Sequence, residues 1–244
     1  MLDQAGFMTM STITKEVPTI PGRRTWPRAR IGPGSAGQLM TPEQFDALRP
    51  SQFVRGNRYE VVNGVLIVSP TPGIDERSPN DYLGTLLNVY RETHPQGAVI
   101  DETAPEQTVS TTNRRRADRV IWTGLGHVPD VDRDVPSIVA EFVSKRRRNV
   151  LRDYEAKRDE YVAAGVKEYW VIDRFRRIMT VYRQDSGGLS YDIVKEGEIY
   201  QTDLLPGFEL PLSKLLAKSD QWKRKKDRPQ PPRKPTPPAG GTDG

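Results

Sequence analysis

A chain of 244 residues without cysteine has room for one α/β domain with tails or two small domains, and can form neither a disulfide nor a thiolate metal site. Its N-terminus lacks the basic-then-apolar order of a secretion signal, and no stretch approaches the roughly 18 apolar residues of a spanning helix, so it reads as soluble, cytoplasmic and free of membrane. Residues 218–244, with eight Lys and Arg against three Asp, account for the whole net charge of +5, so a high pI does not argue that the rest binds nucleic acid.

Residues 1–38 are polar, with Pro and Gly scattered through PGRRTWPRARIGPGSAG, and are expected to form a disordered arm. Residues 39–217 carry the periodic apolar pattern of a folded body. Residues 218–244 are too rich in Lys, Pro and Gly to bury a core and are expected to form a disordered basic tail. The body opens with Thr41 as a helix N-cap, Pro42 at the first helical position and Gln44 completing a capping box, which predicts a short helix over about 42–48. RYEVVNGVLIVSP predicts a hairpin turning at Asn63-Gly64. Tyr82, Leu83, Leu86, Leu87 and Tyr90 recur at helical spacing and predict a helix over 80–93. Strands are expected in AVIDE, EQTVS, ADRVIW and SIVAEFV, followed by a helix in VLRDYEAKRDEYVAA that Gly165 stops. EYWVID and IMTVYR form a further strand pair, and SYDIVKEGE and FELPL are expected as edge strands. This order predicts an α/β or α+β sheet flanked by helices.

Two acids fall where charge is costly. Asp118 interrupts a strand just before Val120-Ile121-Trp122, and Glu141 sits among Ile138, Val139, Ala140, Phe142 and Val143. An ionised carboxylate in a buried strand must find a metal, a cation or several donors. The ordinary alternative is a Glu141 that faces solvent or pairs with a nearby Arg. On the following helix, Val150, Tyr154, Lys157, Tyr161 and Ala164 share one arc, with Lys157 near its centre. A lysine there either snorkels to the surface or reaches an acid cluster beneath the helix. Glu60 shares a strand face with Arg58 and Val62, opposite Tyr59 and Val61.

Arg114, Arg115, Arg116 and Arg119 surround Asp118, and Lys145, Arg146, Arg147, Arg148 and Arg152 follow Glu141. Such clusters usually mark solvated turns, but two that bracket an acid pair favour contact with phosphates. Arg115, Arg116, Arg146, Arg147 and Arg148 are therefore the candidate nucleic-acid-binding residues. His94 and His127 lack ligand-spaced partners, which argues against structural zinc. Neither a glycine-rich phosphate loop nor a serine nucleophile elbow is present.

The segments RYEVVNGVLIVSP, RRRADRVIW, PSIVAEFVS, DYEAKRDEYVAAGVKEYWVID, VYR and LPGFELPLSKL, over about 39–216, resemble the Uma-two-type family of putative restriction endonucleases, within the PD-(D/E)XK nuclease superfamily. The resemblance implies a restriction-endonuclease-like central mixed sheet flanked by helices. It puts Asp118 in the place of the motif's aspartate and Glu141 in that of its second acid. Lys157 stands for the motif's lysine, moved onto the helix, and Glu60 for the upstream acid. It further implies Mg²⁺ or Mn²⁺ held by Asp118, Glu141 and Glu60, with double-stranded DNA as substrate. Restriction-type enzymes often dimerise to cut both strands, so a homodimer is compatible with it. The chain departs from the superfamily pattern with Ala117 in place of Pro, Val143 in place of Lys, and Ser78-Pro79-Asn80 where many relatives carry a histidine. A nuclease fold that has lost catalysis and binds nucleic acid or a protein partner is the alternative. Glycoside hydrolysis by the carboxylate pair leaves Lys157 and the arginine clusters unexplained.

Overall fold

Asn63 and Gly64 both take positive φ, 50° and 74°, as a two-residue hairpin turn requires. They join β1 (Asn57–Val62) to β2 (Val65–Pro70), in register from the Val62–Val65 pair out to Asn57–Pro70. The computed structural model describes residues 30–144 and 150–222. Residues 1–29 of the expected arm, Arg146, Arg147 and Arg148, and residues 223–244 lie outside that set.

Ahead of the hairpin, α1 (Pro42–Asp46) has the anticipated box: Thr41 Oγ1 accepts from Gln44 N–H at 3.2 Å, and Gln44 Oε1 accepts from Thr41 N–H at 2.9 Å. Then follow α2 (Ile74–Thr93), β3 (Ile100–Ser110), β4 (Arg114–Thr123), β5 (Ile138–Phe142), α3 (Val150–Ala164), β6 (Glu168–Asp173), β7 (Ile178–Asp185) and β8 (Gly188–Lys195). The sheet runs β2-β1-β4-β5-β6-β7-β8, with β3 also paired to β4. It is mixed: β5 and β6 are parallel and joined through α3, while the other pairs are antiparallel.

Both faces of the central strands are covered, which explains their nearly continuous apolar runs. On one face, Val139 of β5 and Tyr169 and Val171 of β6 pack with Tyr154 and Tyr161 of α3. On the other, Ile138, Ala140, Trp170 and Ile172 pack with Leu83 and Leu87 of α2 and with Leu212, Leu215 and Leu216. A smaller core of Tyr59, Val61 and Leu66 lies under the hairpin.

Four segments differ from the sequence reading. Residues 30–38, expected in the disordered arm, pack on the hairpin, where Ile31 N–H donates to Gln52 O at 2.8 Å and Gly37 N–H to Leu66 O at 2.9 Å. α2 begins six residues earlier than 80, with Pro79 inside it. Proline has no N–H for the carbonyl of Asp75 four residues back. That carbonyl accepts instead from Arg174 Nη1 at 2.7 Å and Ser219 Oγ at 2.8 Å. AVIDE and EQTVS belong to one strand, β3, in which Pro105 is tolerated because the strand pairs on one side only. FELPL is not an edge of the main sheet. Within it, β10 (Leu210–Pro211) pairs with β9 (Ile199–Tyr200) in a separate two-stranded sheet, and Leu212 starts a helix, α4 (Leu212–Asp220). The leucines at 212, 215 and 216 form its apolar stripe.

β4 carries the feature that positions the site. Its whole length pairs with β3 on one edge, so β1 at Arg114 and β5 at Arg119–Ile121 must share the other. The sheet forks between them at residues 115–118. Side chains satisfy the backbone groups left in the fork: Arg116 N–H donates to Glu60 Oε1 at 3.0 Å, and the Asp118 carbonyl accepts from Asn80 Nδ2 at 2.7 Å.

Candidate active site

The fork brings together three of the sequence's four candidate catalytic residues and holds the fourth beside them. The β4–β5 ladder ends at the Arg119–Ala140 pair, which leaves Asp118 and Glu141 one residue beyond it, at the mouth of the fork. Both line a small cleft of about 30 Å³, bounded by the first turns of α2 and the end of β5, together with Arg58, Asn80, Glu106 and Phe142. Lys157 is fully buried at 0 % exposure, so it does not snorkel. Its Nζ lies 2.7 Å from Glu141 Oε1 and 3.6 Å from Glu60 Oε1. Glu60 is buried with it, and neither of the two is among the side chains lining the cleft.

Helix α3 delivers the lysine, and its end is fixed by glycine. Gly165 has φ +98°, its N–H donates to Val162 O, and Val166 N–H reaches back to Tyr161 O, both at 3.0 Å. This is a Schellman closure. On the same stripe, Tyr161 Oη donates to Glu141 Oε1 at 3.2 Å. Burial, and then the charges of Glu141 and Glu60, raise the Tyr161 pKa well above the usual phenol value, so it stays a neutral donor.

Asp118 is fixed from several sides. Oδ2 accepts from Phe142 N–H at 2.6 Å, and Oδ1 is paired with Arg58 Nη2. Arg58 also forks onto Glu106, with Nε 2.6 Å from Oε2. Burial works against the guanidinium charge, but Asp118 and Glu106 outweigh it and hold the pKa above that of ordinary arginine. Asn80 links the wall to the floor: besides holding the Asp118 carbonyl, its Oδ1 accepts from Arg119 Nε at 2.7 Å.

The arginines differ from expectation. Arg115 is buried at 4 % exposure and forks onto Glu160 of α3 at 3.0 and 2.6 Å, so it ties helix to sheet and is not a phosphate-facing surface group. Arg116 is half-buried against Glu106, with Nε at 3.2 Å. Arg119 is buried on Asn80 and Thr103.

Sequence reasoning missed Arg58, Asn80, Glu106 and Tyr161. Arg58 could have been found from its place beside Glu60 on one strand face, and Asn80 from its place in the stretch that lacks the family's histidine. Glu106 had no such signal. Among the described residues no three Asp, Glu or His side chains stand together ready to hold a metal. The donor chemistry nonetheless fits a hard divalent ion, which prefers one or two carboxylates and completes its shell with water and phosphate oxygens.

A mixed sheet between helix layers, with an acid pair in a fork and a buried lysine behind it, defines a restriction-endonuclease-like nuclease fold. A crystal structure described as a putative nuclease belonging to DUF820, from Anabaena variabilis ATCC 29413, shares it with a TM-score of 0.60 over 74 % of this chain and 99 % of that one. At 13 % identity that likeness is one of fold. Residues 42–213 match the Uma2 family, described as putative restriction endonucleases, and the chain belongs to that family. No curated protein matches it. No described helix is long and apolar enough to cross a membrane.

Proposed function

We propose that this protein is a metal-dependent endonuclease that hydrolyses phosphodiester bonds in DNA. The observation that carries the reading is the buried Lys157–Glu141 contact at 2.7 Å beside Asp118, at the wall of an open cleft. A fold that needed only stability would fill this place more cheaply with apolar side chains, since buried ion pairs often contribute little to it. Asp118 and Glu141 are the residues that would hold Mg²⁺ or Mn²⁺. Such an ion supplies a Lewis acid for the phosphate and lowers the pKa of a bound water.

The chain's own groups do the rest. Phe142 N–H sets Asp118 Oδ2, and Arg58 pairs with Oδ1. Tyr161 and Lys157 set Glu141, and Glu60 holds the lysine from its far side. Lys157 keeps a fixed positive charge near the acids, where negative charge develops on the attacked phosphate. Of the five arginines that the sequence singles out, half-buried Arg116 and Arg146, Arg147 and Arg148 remain as candidates to meet the DNA backbone, and exposed Arg77 lines the cleft. Cutting both strands of a duplex would call for two copies, which sedimentation of the protein with DNA would reveal.

The test is incubation of supercoiled plasmid with the protein in Mg²⁺, in Mn²⁺ and in chelator. The parent should nick or linearise the plasmid only with metal. Asp118→Ala and Glu141→Gln should each lower the rate about 100-fold or more, as loss of one key electrostatic group does. A mutant as fast as the parent would sink the assignment. A second reading, a nuclease fold without catalysis that binds nucleic acid or a partner, draws on the lack of a ready three-acid cluster among the described residues. Under it the protein binds no Mn²⁺ and the Glu141→Gln variant changes nothing.

A further inference from the structure

The acid cleft contains a cation of its own. Arg58 enters from β1 with its side chain 11 % exposed, and its Nη2 is shared between Glu106 and Asp118. Glu106 is held there by unusual backbone: its φ is +54°, in the middle of β3 and directly after Pro105. Non-glycine residues rarely take that conformation, and where it persists beside a cleft the surroundings impose it. The two carboxylates give the one guanidinium different seats. Asp118 accepts from Nη2 alone, whereas Glu106 takes Nε and Nη2 together, the planar fork that binds arginine best. A second cation brought to Asp118 meets the guanidinium at contact, where like charges repel.

We propose that Arg58 is a positioning residue that competes with the metal. It neutralises Asp118 in the metal-free protein and is handed over to Glu106 when a divalent ion takes its place. Glu106 thus serves the site through Arg58 and not as a ligand. This rests on the metal-dependent reading of Asp118 and Glu141, and it deepens that reading by saying what the metal displaces.

The experiment is calorimetric titration of the full chain with Mn²⁺, without DNA, for the parent, Arg58→Met, Glu106→Gln and the double variant. Groups that hold a metal's ligands typically shift its affinity about 10- to 100-fold, so effects of that size are expected. Arg58→Met should bind Mn²⁺ more tightly. Glu106→Gln should bind it more weakly, because Arg58 then rests on Asp118 alone. In the Arg58→Met background most of the Glu106 effect should vanish, since its route is gone. Should Arg58→Met fail to fold in a thermal melt, Arg58→Gln removes the charge while keeping a donor, and carries the same expectation. Weaker or unchanged binding after loss of the arginine charge overturns the proposal, because Arg58 then merely orients Asp118. An equal Glu106→Gln loss in both backgrounds overturns it too, since Glu106 is then a ligand. A parent that binds no Mn²⁺ overturns both this proposal and the metal-dependent reading, whereas the first two outcomes leave that reading standing.

Discussion

Lys157 sits at 0 % exposure between Glu141 and Glu60, so its removal would take from two buried carboxylates the cation that lies between them. Breaking a buried pair in this way costs about 3–5 kcal/mol. Lys157→Met should therefore lower the unfolding free energy by about that much in urea, while also losing metal-dependent cleavage. Were its stability to match the parent's, the two carboxylates would not depend on the lysine's charge. These charged residues were legible in the sequence because each contradicts its surroundings: an acid in an apolar strand, a lysine in an apolar stripe. Arg115 was not. Successive side chains of a strand point to opposite faces, so a run of arginines in β4 cannot meet one ligand together. The chain uses Arg115 inward, on Glu160, and Arg114 outward, on Asp46. The run alone does not say which arginine does which. Glu106 was hidden for a different reason, since its meeting with Arg58 depends on a fork in the sheet and a single positive φ, and no local pattern encodes either.

The elements divide by how local their determinants are. The hairpin and α3 follow from signals within a few residues: Asn63-Gly64 for the turn, a helical stripe and Gly165 for the helix. α2 follows from distant ones. Pro79 looks like a boundary, and the helix runs through it only because Arg174 and Ser219 reach the freed Asp75 carbonyl. At the end of α3, Gly165 has φ +98°, which costs an L-residue roughly 1–2 kcal/mol. Gly165→Ala should be less stable by that amount in a denaturant titration, with Mn²⁺ affinity little changed because the lysine lies two turns earlier. An unaltered midpoint would mean that the helix end adjusts without strain.

For the molecule as a whole, charge and core occupy different stretches. The net charge of +5 belongs to the sequence from 218 onward, yet α4 continues to Asp220, so a deletion that spares the fold must begin at Lys223. Removing 223–244 should flatten the salt dependence of DNA binding if those lysines and arginines meet phosphates, because each phosphate neutralised contributes about −0.9 to the logarithmic slope. An unchanged slope would assign the basic run to solubility. The layering of the helices bears on synthesis as well. The stripe of α2 at Leu83, Leu87 and Tyr90 is covered by α4, the last of the described helices, and Ser219 of that helix holds the carbonyl that Pro79 leaves bare. A nascent chain can thus carry both acids and the lysine while Asn80 still has no seated helix to stand on. The cleft therefore gains its last support only once α4 has left the ribosome and seated on α2, after both acids and the lysine are already in the chain.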